Sequence, residues 1–496
     1  MDSLPQEVLE RLLDLLDPQS LTRCRQLSRR LLSTVDGLLA RDGYWRQVCG
    51  RSVPTDCLLE LTQGRTELEC ADSANWKAIF VSWALTGAPG KFSPHTRELS
   101  LCQDPVTCLA VSGRLVVAGH ASGSRRVWDT EQDGEGVVCG LRHQGYVSGL
   151  RLVDLLHRGP YHSGLGHHAF VTGGTDGQLL LSVLLDQYCP EYREEQEVRI
   201  TLRRNRGPVL ALYLLHDMLA VLRLGNTVVV WRLTAPATET RLPGVQCSMV
   251  LPGPQEQLSC LQLWPNKLVP GLVKLLALDS ELQTRLLLLG EGVAVRWESV
   301  ERCCLVRPVT REESLAIPSG VRRLRSGNMS DHSLEVVLVA EGHSEWVDTA
   351  KVVVAKSWVF HDNLFILLST DHHLFISVDG AYYRHYHPLV ELGAAVLTVA
   401  VHLNLLVFAT EQSEVIIFHL EDAVEALQLD LGRPLWRGRV EGGVVKQVVL
   451  SEGAVGLVMV VVTDCGTSLT QWRSPGVASN QPRGKGLEDS LGFVLD

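Results

Sequence analysis

A chain of 496 residues exceeds one ordinary core, so two or more domains or a large repeat array are expected. With 45% hydrophobic, 21% charged and 6% aromatic residues, the composition argues against wholesale disorder. A formal net charge of -10 argues against a nucleic-acid-binding role, which needs a strongly basic face.

In chain order, Ser3-Leu4-Pro5-Gln6 has the spacing of a capping box with proline in the first turn, and predicts a helix ending at Asp17-Pro18. Val8, Leu12 and Leu16 form one apolar row on it, and Leu9 and Leu13 a second beside the first. Ser20 can cap a second helix carrying Leu21, Cys24, Leu27 and Leu31, and a third short helix leads to Trp45. Residues 1–50 hold twelve leucines, yet a unit this small buries only roughly 60% of its chain surface. Some of that apolar surface needs a neighbour, either the rest of the chain or a partner. Asp2, Glu7, Glu10 and Asp14 make this start unlike a secretory signal. Apolar runs such as LVMVVV at 457–462 fall far short of the ~20 residues of a membrane helix.

Trp76, Phe80 and Trp83, at spacings of four and three, predict a helix with one packed face, and Gly87 to Pro94 reads as the exit from the helical part. From about residue 106, short Val/Leu-rich runs alternate with turns, as in VTCLAVSGRLVVAGHASGSRRVWDT. Seven related units recur at very roughly 40–60 residues, the signature of a β-propeller of four-stranded blades. Residues 291–350 leave room for an eighth blade or a long insertion. Because a propeller must close, RELSLC at 97–102 is expected to complete the last blade alongside 443–473. The tail from 474 is expected to be mobile.

Catalytic and metal signatures are sparse. No G-x-S-x-G, GxxxxGK[ST] or H-E-x-x-H run occurs. The thirteen cysteines include no C-x-x-C pair and only one adjacent pair, Cys303 and Cys304, which suggests neither a zinc nor a disulfide framework and points to a reducing compartment. His157, His162, His167 and His168 lie in a glycine-rich loop without companion ligands, and His372 and His373 lie at a tight turn; neither group is expected to bind metal. Asp176-Gly177 and Asp371 read as turn residues. Arg203, Arg204 and Arg206 precede a probable innermost strand and are the candidate contacts for an acidic or phosphorylated peptide; Arg322, Arg323 and Arg325 form a second basic cluster.

The succession LPQEVLERLLDLLDPQSLTRCRQLSRRLL followed by YWRQVC resembles the F-box. Leu31 and Leu32 stand where that family often has an aromatic residue. The strand units resemble WD repeats in degenerate form, with the signature dipeptide kept at Trp128-Asp129 and the tryptophan alone at Trp231 and Trp472. The domains expected are an F-box helical domain at 1–50, a helical connector at 51–95, an all-β propeller at 96–473 with seven blades expected, and the tail at 474–496. The resemblance implies that Leu4, Pro5, Val8, Leu9 and Leu12 bind the Skp adaptor of a cullin-RING ubiquitin ligase while the propeller recruits a protein substrate. The chain itself would be a non-catalytic receptor with no cofactor, no metal, no nucleic acid and no membrane partner, in cytoplasm or nucleus. An adaptor-binding scaffold outside a cullin ligase and a propeller enzyme are the alternatives.

Overall fold

A computed structural model describes residues 4–16, 18–62, 76–87, 89–100, 104–112, 115–130, 136–154, 168–184, 196–200, 207–215, 218–234, 244–252, 258–265, 273–279, 284–290, 293–294, 298–299, 321–325, 329–330, 333–340, 349–361, 364–378, 382–422, 424–453 and 456–473. Ser3, the loop at 155–167 and the tail from 474 lie outside them.

Six helices come first: α1 (Gln6–Leu13), α2 (Pro18–Arg25), α3 (Arg29–Leu39), α4 (Asp42–Ser52), α5 (Thr55–Leu61) and α6 (Trp76–Thr86). Pro5 is the N-cap of α1 rather than a first-turn residue, and the helix stops at Leu13, four residues before the expected break. Tight turns follow, with Leu15 N–H donating to the Leu12 carbonyl and Leu16 N–H to that of Leu13. The single helix expected from Ser20 to Leu31 is two. Ser28 adopts extended backbone at φ -159° and its hydroxyl accepts the Leu31 N–H at 3.2 Å, so it caps α3 and breaks the helical run. Trp45 consequently lies within a fourth helix, where its Nε1–H donates to the Leu39 carbonyl at 2.7 Å.

The sequence spacing predicts one buried face on α6, but the structure buries it nearly all round, from Trp76, Ala78 and Ile79 to Leu85 and Thr86. A helix apolar on every side must be enclosed by protein. One face meets α4, where Trp45 and Phe80 rings lie 5.6 Å apart, and the other meets strands 445–453 and 456–463. A single core therefore runs from Leu9, Val35 and Trp45 through Trp76 and Val81 to Leu457, Met459 and Trp472.

Among the described residues, the rest of the chain forms seven antiparallel sheets. Their first strands are Val106–Ser112, Val147–Asp154, Val209–Leu215, Leu258–Pro265, Thr349–His361, Val396–His402 and Val445–Gly453, the fifth sheet having extra strands before this one. In every sheet but the fifth the main path of strands is a meander, and first strands of successive sheets are neighbours from the first to the fourth sheet and from the fifth through the seventh back to the first. This is a seven-bladed propeller. Ser93–Ser100, immediately after the helices, pairs antiparallel with Thr467–Arg473 and closes the seventh blade as its fourth strand. Residues 321–340 add no eighth blade: their strands join the fifth sheet, Ser333–Ala340 pairing with Thr349–His361.

The sixth blade shows why Val/Leu runs suit this fold. Leu405, Val407 and Ala409 face the core shared with the seventh blade, whereas Leu406 and Phe408 face that shared with the fifth. Alternation sends successive side chains to opposite faces, and both faces are buried, so the strand is continuously apolar.

A polar clamp seals the junction of helices and propeller. Glu60, near the end of α5, accepts the Leu403 N–H at 3.0 Å and lies 3.0 Å from His402 Nδ1, while His402 Nε2 lies 3.2 Å from Glu452. Burial disfavours the imidazolium, but the two carboxylates outweigh it and hold the His402 pKa up to about 10. Since an unfolded histidine titrates near ~6.5, the clamp contributes its full stability below that pH and loses it as pH rises through the folded value of about 10. In urea unfolding at pH 7, 8.5 and 10, the wild type is therefore expected to lose stability with rising pH while His402→Gln shows a flatter profile. Parallel profiles would remove the clamp from the energetics.

Candidate functional site

The two apolar rows of α1 part company in the structure. Leu9, 2% exposed, and Leu13 point into the helical core, whereas Val8 (42%) and Leu12 (48%) stand in solvent. Pro5 is exposed and Leu4 half-buried. What turns the helix this way is its attachment to α3. Gln6 donates to Thr34 Oγ1 at 3.0 Å, and Arg30 donates to the Leu4 carbonyl. Arg41 reaches back to Glu10 at 2.9 Å from the start of α4. Of the five residues expected to make the adaptor contact, Leu9 is thus a core residue, because a side chain enclosed by α3 and α4 has no surface left to offer. Leu15 (70%), Leu27 (71%) and Leu32 (40%) are exposed as well. An exposed group of large apolar side chains rimmed by charged residues marks an interaction site.

In each meander the turns alternate between the two ends of the blade. The helices dock at the end carrying the first-to-second strand turns, which holds His402, Leu403 and Glu452. The opposite end, carrying the second-to-third strand turns and the inter-blade loops, is free of them. Exposed Tyr146, Leu224, Leu389 and Val390 lie there. Arg203, Arg204 and Arg206, on the stretch joining the second and third blades, lie outside the described residues. Arg322, Arg323 and Arg325 occupy a strand of the fifth sheet.

Asp176 is the turn residue expected of it. Its carboxylate accepts backbone N–H groups of Gln144 (2.8 Å) and Gln178 (3.0 Å) and pairs with His143 Nδ1 at 3.1 Å. Burial raises its pKa, but these donors prevail and lower it overall. His143 Nε2 meets Thr172 Oγ1 at 2.9 Å. The order hydroxyl, imidazole, carboxylate matches a nucleophile triad, yet Thr172 and His143 are buried and the trio works as a brace between blades. Arg125, missed by sequence reasoning, is a second brace: wholly buried, it donates to Ser182 Oγ at 2.6 Å and the Leu141 carbonyl at 2.8 Å. Of the two turn histidines, His373 is gathered with His385 and His387, whereas His372 Nδ1 turns to the Val396 carbonyl.

Residues 1–39 match the F-box domain family, and the sheets that follow form a propeller. No curated protein matches the chain. Among solved structures it is similar to the computationally designed Ika8 protein, at 17% identity over 76% of this chain and 98% of that one, with TM-score 0.40. Saccharomyces cerevisiae Sqt1 aligns at 10% identity over 77% and 98% of the two chains, with TM-score 0.46. The Myceliophteria thermophila Cps50 (Swd1) β-propeller domain aligns at 12% over 77% and 100%, with TM-score 0.42. The blade assignment rests on the strand pairing itself.

The division of α1 predicts opposite outcomes for neighbouring substitutions. Leu9→Asp places a carboxylate in the core and is expected to cost more than about 4 kcal/mol. Val8→Asp and Leu12→Asp should each change stability by less than about 0.5 kcal/mol. Urea unfolding followed by tryptophan fluorescence distinguishes them.

Proposed function

We propose that this chain is the substrate-recognition subunit of a Skp-cullin-F-box ubiquitin ligase, acting in cytoplasm or nucleus. F-box domains generally bind the Skp adaptor, and the observation that carries the reading here is the solvent-facing row of Pro5, Val8 and Leu12 on that domain. Burying an aliphatic side chain contributes about 1.5–3 kcal/mol. Val8 and Leu12 together with Leu15, Leu27 and Leu32 could thus offset the entropy of association. Leu9 supports the surface from beneath, and Leu4 fixes the helix start.

The propeller supplies the second contact. Its end opposite the N-terminal helices presents exposed apolar side chains, Tyr146 and Leu389 among them, and Arg203, Arg204 and Arg206 are the candidate contacts for an acidic or phosphorylated peptide of a protein substrate. The chain forms and breaks no covalent bond in this scheme. It raises the effective concentration of substrate lysines near a conjugating enzyme brought by cullin and RING subunits. A rigid connection favours this, and the enclosed α6 and the Glu60–His402–Glu452 clamp supply one.

Capture with purified Skp adaptor and cullin tests the proposal. Wild type should retain both, and the Val8→Asp, Leu12→Asp double variant, folded by circular dichroism, should lose both. Equal retention by the two proteins would take the exposed row out of the interface. Adaptor without cullin would favour a scaffold.

A further inference from the structure

We infer that the fifth blade carries a metal site for a zinc-class divalent ion, formed by the imidazoles of His373, His385 and His387. One potential ligand nitrogen from each lies within 4.8 Å of the others. His373 Nδ1 and His385 Nε2 are 3.0 Å apart, and the ring centroids of His385 and His387 are 4.1 Å apart. Two nitrogens bound to one tetrahedral zinc at ~2.0–2.1 Å each stand about 3.3 Å from one another. Closing onto an ion thus requires adjustments of side-chain rotamer only.

The strand register builds this arrangement. His385 pairs with Phe375 across adjacent strands, and Tyr386 pairs with Leu374. His385 and His387, two residues apart, therefore share a face, and His373 continues the neighbouring strand beside them. The supports are fixed. Phe375 stacks on the His385 ring at 4.5 Å and 10°. The His373 N–H donates to Ser369 Oγ at 3.0 Å within a closed turn. His387 precedes the short helix α7 (Pro388–Glu391), and its N–H donates to the Glu391 carboxylate at 2.8 Å. Three ligands held by backbone and stacking contacts are what a metal site needs beyond ligand identity. Arg384, on the alternate face of its strand, is directed to the Tyr386 ring.

Three nitrogen donors without thiolate select zinc and its neighbours over the oxygen-seeking magnesium and calcium. His387 is exposed, so the fourth position is open to water or to a side chain of a bound protein. The site lies on the end of the propeller opposite the N-terminal helices.

Equilibrium titration of the full chain with Zn2+ alone tests the inference. His157, His162, His167 and His168 are changed to Gln in every protein compared, to remove the other histidine-rich segment. The chain with the cluster intact should bind one equivalent, and a further His387→Gln at the surface should weaken binding at least about 100-fold with an unchanged melt. Co2+ in place of Zn2+ should give the intense visible bands of four-coordination with the cluster intact and not with His387→Gln. Equal Zn2+ affinity with and without His387, or no binding by either, would overturn the site. His385→Gln serves as a second variant if His387→Gln does not fold.

Discussion

The strand that closes the propeller follows the helical domain directly. Ser93–Ser100 is hydrogen-bonded to Thr467–Arg473 at the far end of the chain, and only a short 3-10 turn, Pro89–Lys91, stands between it and the end of α6 at Thr86. A propeller left open exposes two strand edges, so closure is required for solubility as well as stability. Meeting that requirement with this strand ties α6 to the ring, and the apolar circumference of α6 then forces the other helices to pack around it. The orientation of α1, and with it the row presented to solvent, follows from that packing.

One consequence is a division of surfaces. The helical domain occupies the end of the sixth and seventh blades where His402 and Glu452 lie, away from the end carrying the second-to-third strand turns. The surfaces proposed for adaptor and substrate thus fall on opposite sides of a packed junction. For a receptor whose contribution is proximity, such a junction limits the volume a substrate lysine explores.

Much of the architecture was legible in the sequence because it rests on local pattern. The Pro-marked helix starts, the Val/Leu runs and the partner strand for the last blade all carry their signals within a few residues. Choices made by tertiary packing were hidden. Val8 and Leu9 are chemically alike, and long-range contacts such as the Gln6–Thr34 and Arg30–Leu4 bonds and the Arg41–Glu10 pair decide which row faces inward. Ser28 had the chemistry of a cap, but Leu27 and Leu31 continued the helical spacing across it. The stretch 291–350 left an eighth blade or a long insertion open, and the membership of the strands at 321–340 in the fifth sheet is fixed by pairing with residues downstream. The histidine cluster depends in the same way on register: His385 and His387 stand two apart in YYRHYHPLV, but His373 joins them only once Phe375 is opposite His385.

Hydrogen exchange of the full chain, with and without purified Skp adaptor, tests most directly whether the helical domain is the adaptor-binding end and the propeller is left free. The account predicts slowed exchange within residues 4–32 on adding adaptor and none in the blades away from the junction. Protection concentrated on the propeller, or unchanged exchange throughout at saturating adaptor, would contradict it.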